Sequence, residues 1–171
     1  MLEHPRAVVD CPTLGIGCSV IEPRDPGMAD RTESSIVISA APSRVMAVIA
    51  DLAQYPEWSD GVTSVAVLSE NEDGRPASAR FVVDAGAIKD TYELEYSWSG
   101  DSGVTWTLTS GQMLKALDGA YTLTDNRDGT TTVVYQLTVD VTIPMIGLIK
   151  RKAEKVIVDT ALRGLKERVE G

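Results

Sequence analysis

The feature that most restricts the fold is a 67-residue stretch without proline, from Ala77 to Ile143. Apolar and polar residues alternate within it, and turn sequences interrupt the alternation at Gly86, at 100–103 and at Asp128-Gly129. Successive side chains of a strand point to opposite faces, and Asp-Gly pairs favour hairpin turns, so this stretch predicts an antiparallel meander. We place strands near 61–69, 78–85, 88–98, 103–110, 114–124 and 130–142.

The flanking segments predict one further strand and two helical regions. Ser34–Ser39 alternates as a strand, Pro42 occupies a first helical position, and an apolar face follows over 45–52 at helical spacing. Pro144 ends the last strand and opens a helix that extends to about Val169.

The inner face of this C-terminal helix carries small residues. Ala161 and Gly164 stand where a tightly packed helix often places Leu or Phe. We therefore predict unfilled space between the helix and the sheet.

Residues 1–30 differ from the rest and are predicted to form a flexible N-terminal arm, leaving 31–171 as one globular domain. Four of the eight prolines, the single His and both Cys fall within the first 27 residues. Gly15 and Gly17 interrupt the short apolar run, which argues against a signal peptide. Our hypothesis is that 1–27 is an upstream start-site extension or a dispensable arm.

The absence of His and Cys after Met28 excludes several chemistries from the domain. Nucleophile systems of the Ser-His-Asp or Cys-His kind need an imidazole, and zinc sites need imidazole or thiolate ligands. Cys11 and Cys18 have no second pair, so they predict neither a metal site nor a disulfide. No cofactor is predicted, and an enzyme of this sequence would rely on residues such as Tyr, Asp, Glu, Lys or Arg.

The formal net charge of −9 argues against nucleic acid as a partner, but the charge is uneven. Residues 145–171 hold seven basic and four acidic side chains. Their basic cluster predicts transient contact with an anionic membrane. The alternative is a solvated helix face, which the spacings Lys150–Glu154 and Asp159–Arg163 favour. The cluster consists of Lys150, Arg151, Lys152 and Lys155.

Several short sequences resemble the SRPBCC (START-like) superfamily, in particular its polyketide cyclase/dehydrase family. They are Ala41-Pro42, Tyr55-Pro56-Glu57-Trp58 leading into Val65-Ala66-Val67-Leu68, Pro144-Met145-Ile146-Gly147, and the run 150–154. The resemblance covers roughly 31–170. It is strongest to small actinobacterial members described as cyclase/dehydrase-like or coenzyme Q-binding-like.

This resemblance implies an α+β helix-grip fold, in which a curved antiparallel sheet of about seven strands wraps around a long C-terminal helix. It also implies an apolar cavity that binds a lipid, polyketide or quinone. Two alternatives stay open: a cyclase or dehydratase that uses cavity Tyr or Asp groups, and a macromolecular interaction module. The expected location is the cytoplasm.

Nine side chains are predicted to bind the ligand, although ordinary core packing would explain the same residues. Alternation places the four tyrosines on inner strand faces, and Asp90 and Trp98 share the face of Tyr92 and Tyr96. Helical spacing places three further residues on the terminal helix. The nine are Trp58, Tyr92, Tyr96, Trp106, Tyr121, Tyr135, Ile149, Ala153 and Ile157.

Three further kinds of charged residue bear on the site. A cavity carboxylate at Asp90 could act as a base, but its position beside a glycine turn favours a solvated hairpin acid. Glu93 and Glu95 share the opposite face and are predicted to be solvated. Arg80 is likewise predicted to point outward.

Overall fold

A computed structural model of the chain describes residues 31–85, 88–142 and 147–171. The predicted arm over 1–30, the turn at Gly86 and the helix start at Pro144 lie outside the described residues.

The elements within the described residues follow the predicted order. They are β1 Thr32–Ile38, α1 Pro42–Ala50, α2 Tyr55–Trp58, β2 Val62–Glu70, β3 Pro76–Ala85, β4 Ile88–Ser99, β5 Gly103–Ser110, β6 Leu114–Asp125, β7 Thr131–Val141 and α3 Gly147–Glu170. A short 3-10 turn, Leu52–Gln54, joins α1 to α2.

The seven strands form one curved antiparallel sheet in the order β1-β7-β6-β5-β4-β3-β2. Each strand from β2 to β7 pairs with its neighbour in sequence, so the meander forms by successive hairpins. Strand β1 lies at the edge of the sheet opposite β2 and pairs with β7, where Ile36 lies across from Val133. The α+β class and the seven-stranded antiparallel sheet are therefore confirmed.

The core lies where the sheet meets the helices. From α1, Val45, Met46 and Ile49 are fully buried. Helix α3 buries one stripe against β1 and β7, and each such aliphatic side chain stabilises the fold by about 1.5–3 kcal/mol relative to exposure. The stripe consists of Val158, Leu162, Leu165 and Val169.

Gly164 corrects one expectation about α3. A Cβ at this position would lie 2.3 Å from the Trp58 carbonyl oxygen. Glycine is therefore required by close packing of α3 against the end of α2, and Gly164 does not line the space between the helix and the concave face of the sheet. No helix in the described parts of the chain is long and apolar enough to cross a membrane.

Candidate functional site

A cavity of about 460 Å³ lies between the concave face of the sheet and α3. That volume lies within the range of small-molecule sites in proteins. Its wall is mainly aliphatic and aromatic, and all five tyrosines of the chain take part in it. The aromatic lining residues are Tyr55, Trp58, Phe81, Tyr92, Tyr96, Trp106, Tyr121 and Tyr135.

Cross-strand pairing brings these rings together. Phe81 of β3 pairs with Tyr92 of β4, and the two rings stack with centroids 5.5 Å apart and planes 6° apart. Tyr121 of β6 pairs with Tyr135 of β7, with ring centroids 4.5 Å apart. Alternation along each strand turns these rings to the same face of the sheet, so the wall follows from the strand pattern.

The Trp106 ring packs closely against β6 because its partner across β5 and β6 is Gly119. A Cβ at Gly119 would stand 2.2 Å from the indole ring. The absence of a side chain at Gly119 therefore lets the large ring cover the backbone of β6. The alternation did not single out Gly119, whose only local signal is that it is a glycine inside an alternating strand.

The cavity hydroxyls differ in their hydrogen bonding. The Tyr55 hydroxyl donates to the Ile49 carbonyl at 2.8 Å. Within the described residues, no hydrogen-bond partner is found for the hydroxyls of Tyr92, Tyr96, Tyr121 or Tyr135. Four donors thus face the cavity without a protein acceptor in that part of the chain.

Burial raises the pKa of all five tyrosines above its ordinary value. Loss of solvation is the main cause, because the phenolate is the charged form. Neighbouring tyrosines add to the shift: Tyr96 acts on Tyr55, and Tyr121 acts on Tyr135. Each hydroxyl therefore keeps its proton at neutral pH and serves as a hydrogen-bond donor.

The exposed members of the lining define what we call the mouth. They are Asp60, Asp84, Ala85, Val156 and Ile157. Asp84 forms an ion pair with Lys89 at 2.9 Å. Because Asp60 and Asp84 are the only carboxylates among the described lining residues, the charged groups found in the site are confined to its mouth.

Seven of the nine predicted binding residues lie on the cavity wall. These are Trp58, Tyr92, Tyr96, Trp106, Tyr121, Tyr135 and Ile157. Ile149 and Ala153 are not among the lining residues, and Ile149 is 54% exposed. Both precede the first buried position described in α3, so they lie N-terminal to the part of the helix that lines the cavity. Trp98 is also outside the lining, and its indole N–H donates to the Pro76 carbonyl.

Asp90 corrects a second expectation, since it is buried and not a solvated hairpin acid. Its carboxylate accepts main-chain N–H bonds from Thr91, Gln112, Met113 and Leu114 at 2.8–3.1 Å. Burial acts to raise its pKa, but these four bonds outweigh burial and hold the pKa below its ordinary value. Asp90 therefore fixes the connection between β5 and β6 and is not a lining base.

Glu154 corrects a third expectation. It is fully buried, and the predicted solvated pair with Lys150 is not formed. Its carboxylate accepts hydrogen bonds from the Thr32 hydroxyl and from the Val139 main-chain N–H. The outward direction of Arg80 is confirmed, because it bonds to Glu93 on the exposed face.

The basic cluster of α3 lies mostly on the surface. Arg151, Lys152 and Lys155 are exposed, Lys150 is half-buried, and Lys155 pairs with Asp159. Membrane contact through this cluster stays a prediction.

The indole N–H of Trp58 is buried and has no hydrogen-bond partner among the described residues. A buried donor without an acceptor costs free energy, so this group requires an explanation. The indole belongs to the cavity wall.

Residues 38–166 match the protein family described as polyketide cyclase/dehydrase and lipid transport. No match was found among curated proteins. A START superfamily protein from Mycobacterium smegmatis has a TM-score of 0.77 at 18% identity, over 83% of this chain and 98% of that one.

Two other solved structures have similar architecture. A protein from Thermus thermophilus has a TM-score of 0.69 at 25% identity, over 82% of this chain and 97% of its own. The Zhui aromatase/cyclase from Streptomyces sp. R1128 has a TM-score of 0.68 at 13% identity, with coverages of 82% and 93%. These likenesses confirm the helix-grip fold.

Proposed function

The chain belongs to the polyketide cyclase/dehydrase and lipid transport family, and from this premise we propose that it binds an uncharged hydrophobic molecule without transforming it. The observation that carries the proposal is the aromatic cavity of about 460 Å³ with four tyrosine donors for which the described residues offer no acceptor. Burial of apolar ligand surface would supply the affinity, and the hydroxyls would set its orientation.

The lining favours binding over catalysis, because its described residues offer no group suited to remove a proton. Asp60 and Asp84 are the only carboxylates among them, and both lie at the mouth. The tyrosines keep their protons, since burial raises the pKa of each. A protonated phenol can donate a hydrogen bond but cannot act as a general base at neutral pH.

The same lining favours a particular ligand class. The described lining contains no Lys or Arg that could pair with a carboxylate or phosphate. A ligand with carbonyl or ether oxygens would instead accept hydrogen bonds from the tyrosine hydroxyls. We therefore propose a ligand of the polyketide or quinone class and not a fatty acid.

A matched pair of ligands tests this class. Fluorenone and fluorene share a ring system, but only fluorenone carries a carbonyl. Each would be titrated as a competitor of the uncharged fluorophore N-phenyl-1-naphthylamine, with palmitate as the charged comparison. One satisfied hydrogen bond predicts that fluorenone binds about 10-fold more tightly than fluorene, and that Tyr121→Phe or Tyr135→Phe reduces this ratio.

Two helical alanines provide the control for the location of the site. Ala161 lines the cavity, whereas Ala47 of α1 is exposed. Ala161→Leu should weaken fluorophore binding strongly, and Ala47→Leu should leave it unchanged. Equal binding by both variants, or stronger competition by palmitate than by fluorenone, would contradict the proposal.

A cyclase or dehydratase is the second candidate, and the four convergent hydroxyls are the observation that favours it. They could hold several carbonyls of one chain in a folded arrangement that promotes ring closure. Native mass spectrometry of protein from its own host distinguishes the two functions. A carrier should retain a ligand of constant mass, and a dehydratase should convert it with loss of water. The unfilled cavity gives no support to a pure interaction module.

A further inference from the structure

Glu154 is a buried carboxylate that the proposed binding site does not use. It is 2% exposed and lies between α3 and the β1–β7 edge of the sheet. One carboxylate oxygen accepts from the Thr32 hydroxyl at 2.7 Å, and the other accepts from the Val139 N–H at 2.9 Å. Both oxygens are therefore held by the sheet.

The position of Val139 explains why a carboxylate is needed there. The ladder between β1 and β7 ends with the pair Thr32–Leu137, and Val139 lies two residues farther along β7. Its N–H therefore has no partner from β1 among the described residues. Glu154 accepts that N–H in place of a strand, which avoids a buried donor without an acceptor.

Glu154 is also the first buried side chain among the described residues of α3. C-terminal to it, the helix buries Val158, Leu162, Leu165 and Val169. N-terminal to it, none of the side chains described over 149–153 is fully buried. Val156 and Ile157, which form one side of the mouth, follow Glu154 within three residues.

We propose that Glu154 is a positioning residue that holds the mouth-facing half of α3 against the sheet and thereby sets the rate of ligand exchange. The effect on ligand exchange rests on the proposed binding function. The fixing of the helix does not depend on it. Glu154 acts through Val156 and Ile157 and does not itself line the cavity.

The test compares three variants of the full chain by hydrogen exchange and by dissociation of N-phenyl-1-naphthylamine. Glu154→Ala should speed exchange of the Val139 amide and of amides over 149–157 by at least about 10-fold, since a buried hydrogen bond is lost. Amides near Leu165 should keep their protection. The fluorophore should leave several-fold faster in stopped flow.

Glu154→Gln should restore most of the protection, because its amide oxygen can accept from Val139 while its amide nitrogen donates to Thr32. Asp159→Asn is the matched control, since this carboxylate also bonds to β1, through Ser34, but its side chain is 43% exposed. It should change neither readout by more than about 3-fold, as expected for a contact that water reaches.

Unchanged exchange over 149–157 in Glu154→Ala would overturn the proposal, as would a Glu154→Gln variant that opens as readily as Glu154→Ala. If Glu154→Ala does not fold, Thr32→Val provides the test, because it removes one of the two hydrogen bonds that Glu154 accepts. It should speed amide exchange over 149–157 to a smaller extent, and unchanged exchange would contradict the proposal. A wild-type chain that does not bind the fluorophore would contradict the proposed function. It would leave the role of Glu154 in fixing the helix open to the amide-exchange test, which needs no ligand.

Discussion

Asp90 gives the sharpest test of how this fold is held together. Its carboxylate accepts from four main-chain N–H groups, two of them in the connection between β5 and β6 and one at the first residue of β6. In Asp90→Ala the Leu114 N–H is left buried and unpaired, and the other donors reach water only in part. At 1–3 kcal/mol for an unsatisfied buried group, we expect a loss of about 3–5 kcal/mol in the free energy of unfolding.

Asp90→Asn separates the charge from the shape of the side chain. The amide oxygen can accept part of the hydrogen bonds, but the amide nitrogen faces donors, so a loss of about 2–3 kcal/mol is expected. Because the folded pKa of Asp90 is lowered, its contribution is complete above its unfolded pKa of about 4 and declines as pH falls through the folded value. The gap between wild type and Asp90→Asn should therefore narrow below about pH 4.

Urea denaturation followed by circular dichroism at pH 7 and at pH 3 measures both effects. Asp128→Asn is the control, because Asp128 also accepts turn hydrogen bonds from Thr130 but is fully exposed, and it should have a much smaller effect. A gap that is as large at pH 3 as at pH 7, or an Asp90→Asn variant as stable as wild type, would refute the reasoning.

Other contacts lead to further expected outcomes. Burial raises the pKa of every tyrosine, so an alkaline absorbance titration should show no hydroxyl ionising near pH 10 while the chain is folded. The unfolded state then loses protons first, so stability should persist below about pH 10 and fall above it; a tyrosine that titrates normally would contradict this. Gly164→Ala should lower the urea midpoint, at about 1–3 kcal/mol, because its Cβ would meet the Trp58 carbonyl; an unchanged midpoint would count against that contact. Tyr55→Phe should cost about 1 kcal/mol through its lost bond to Ile49, whereas Tyr121→Phe should stay within about 0.5 kcal/mol; equal losses would contradict the assigned hydrogen bonding.

The strand pattern could be predicted because it depends on local alternation. The predicted strand over 103–110 agrees with β5, and the other strands differ by one or two residues at their ends. Along β4 the alternation also separates Leu94, which is buried, from the exposed Glu95 on the opposite face. Such assignments need no knowledge of distant residues, since each side chain's face follows from its position in the strand.

The two buried carboxylates could not be predicted because their partners lie far away in sequence. Asp90 is bonded to residues 22–24 positions later, and Glu154 to a hydroxyl 122 positions earlier. Local sequence rules place charged residues in solvent, so they predicted solvent exposure for both Asp90 and Glu154. The position of Ile149 outside the lining has a related origin, because helical spacing predicts a face but not how far along the helix the cavity extends.

The existence of the cavity depends on small residues in a way that the alternation does not reveal. Inward-facing rings could equally well have met in the centre and filled the domain. Gly119 lets the Trp106 indole lie over the backbone of β6, and Ala161 adds little volume from the opposite side. Of the two small helix residues from which space was inferred, Ala161 lines the cavity, whereas Gly164 packs against the Trp58 carbonyl and does not line the cavity. Whether a small residue opens a cavity or admits a neighbour is decided by what lies opposite it, and only the packed fold supplies that information.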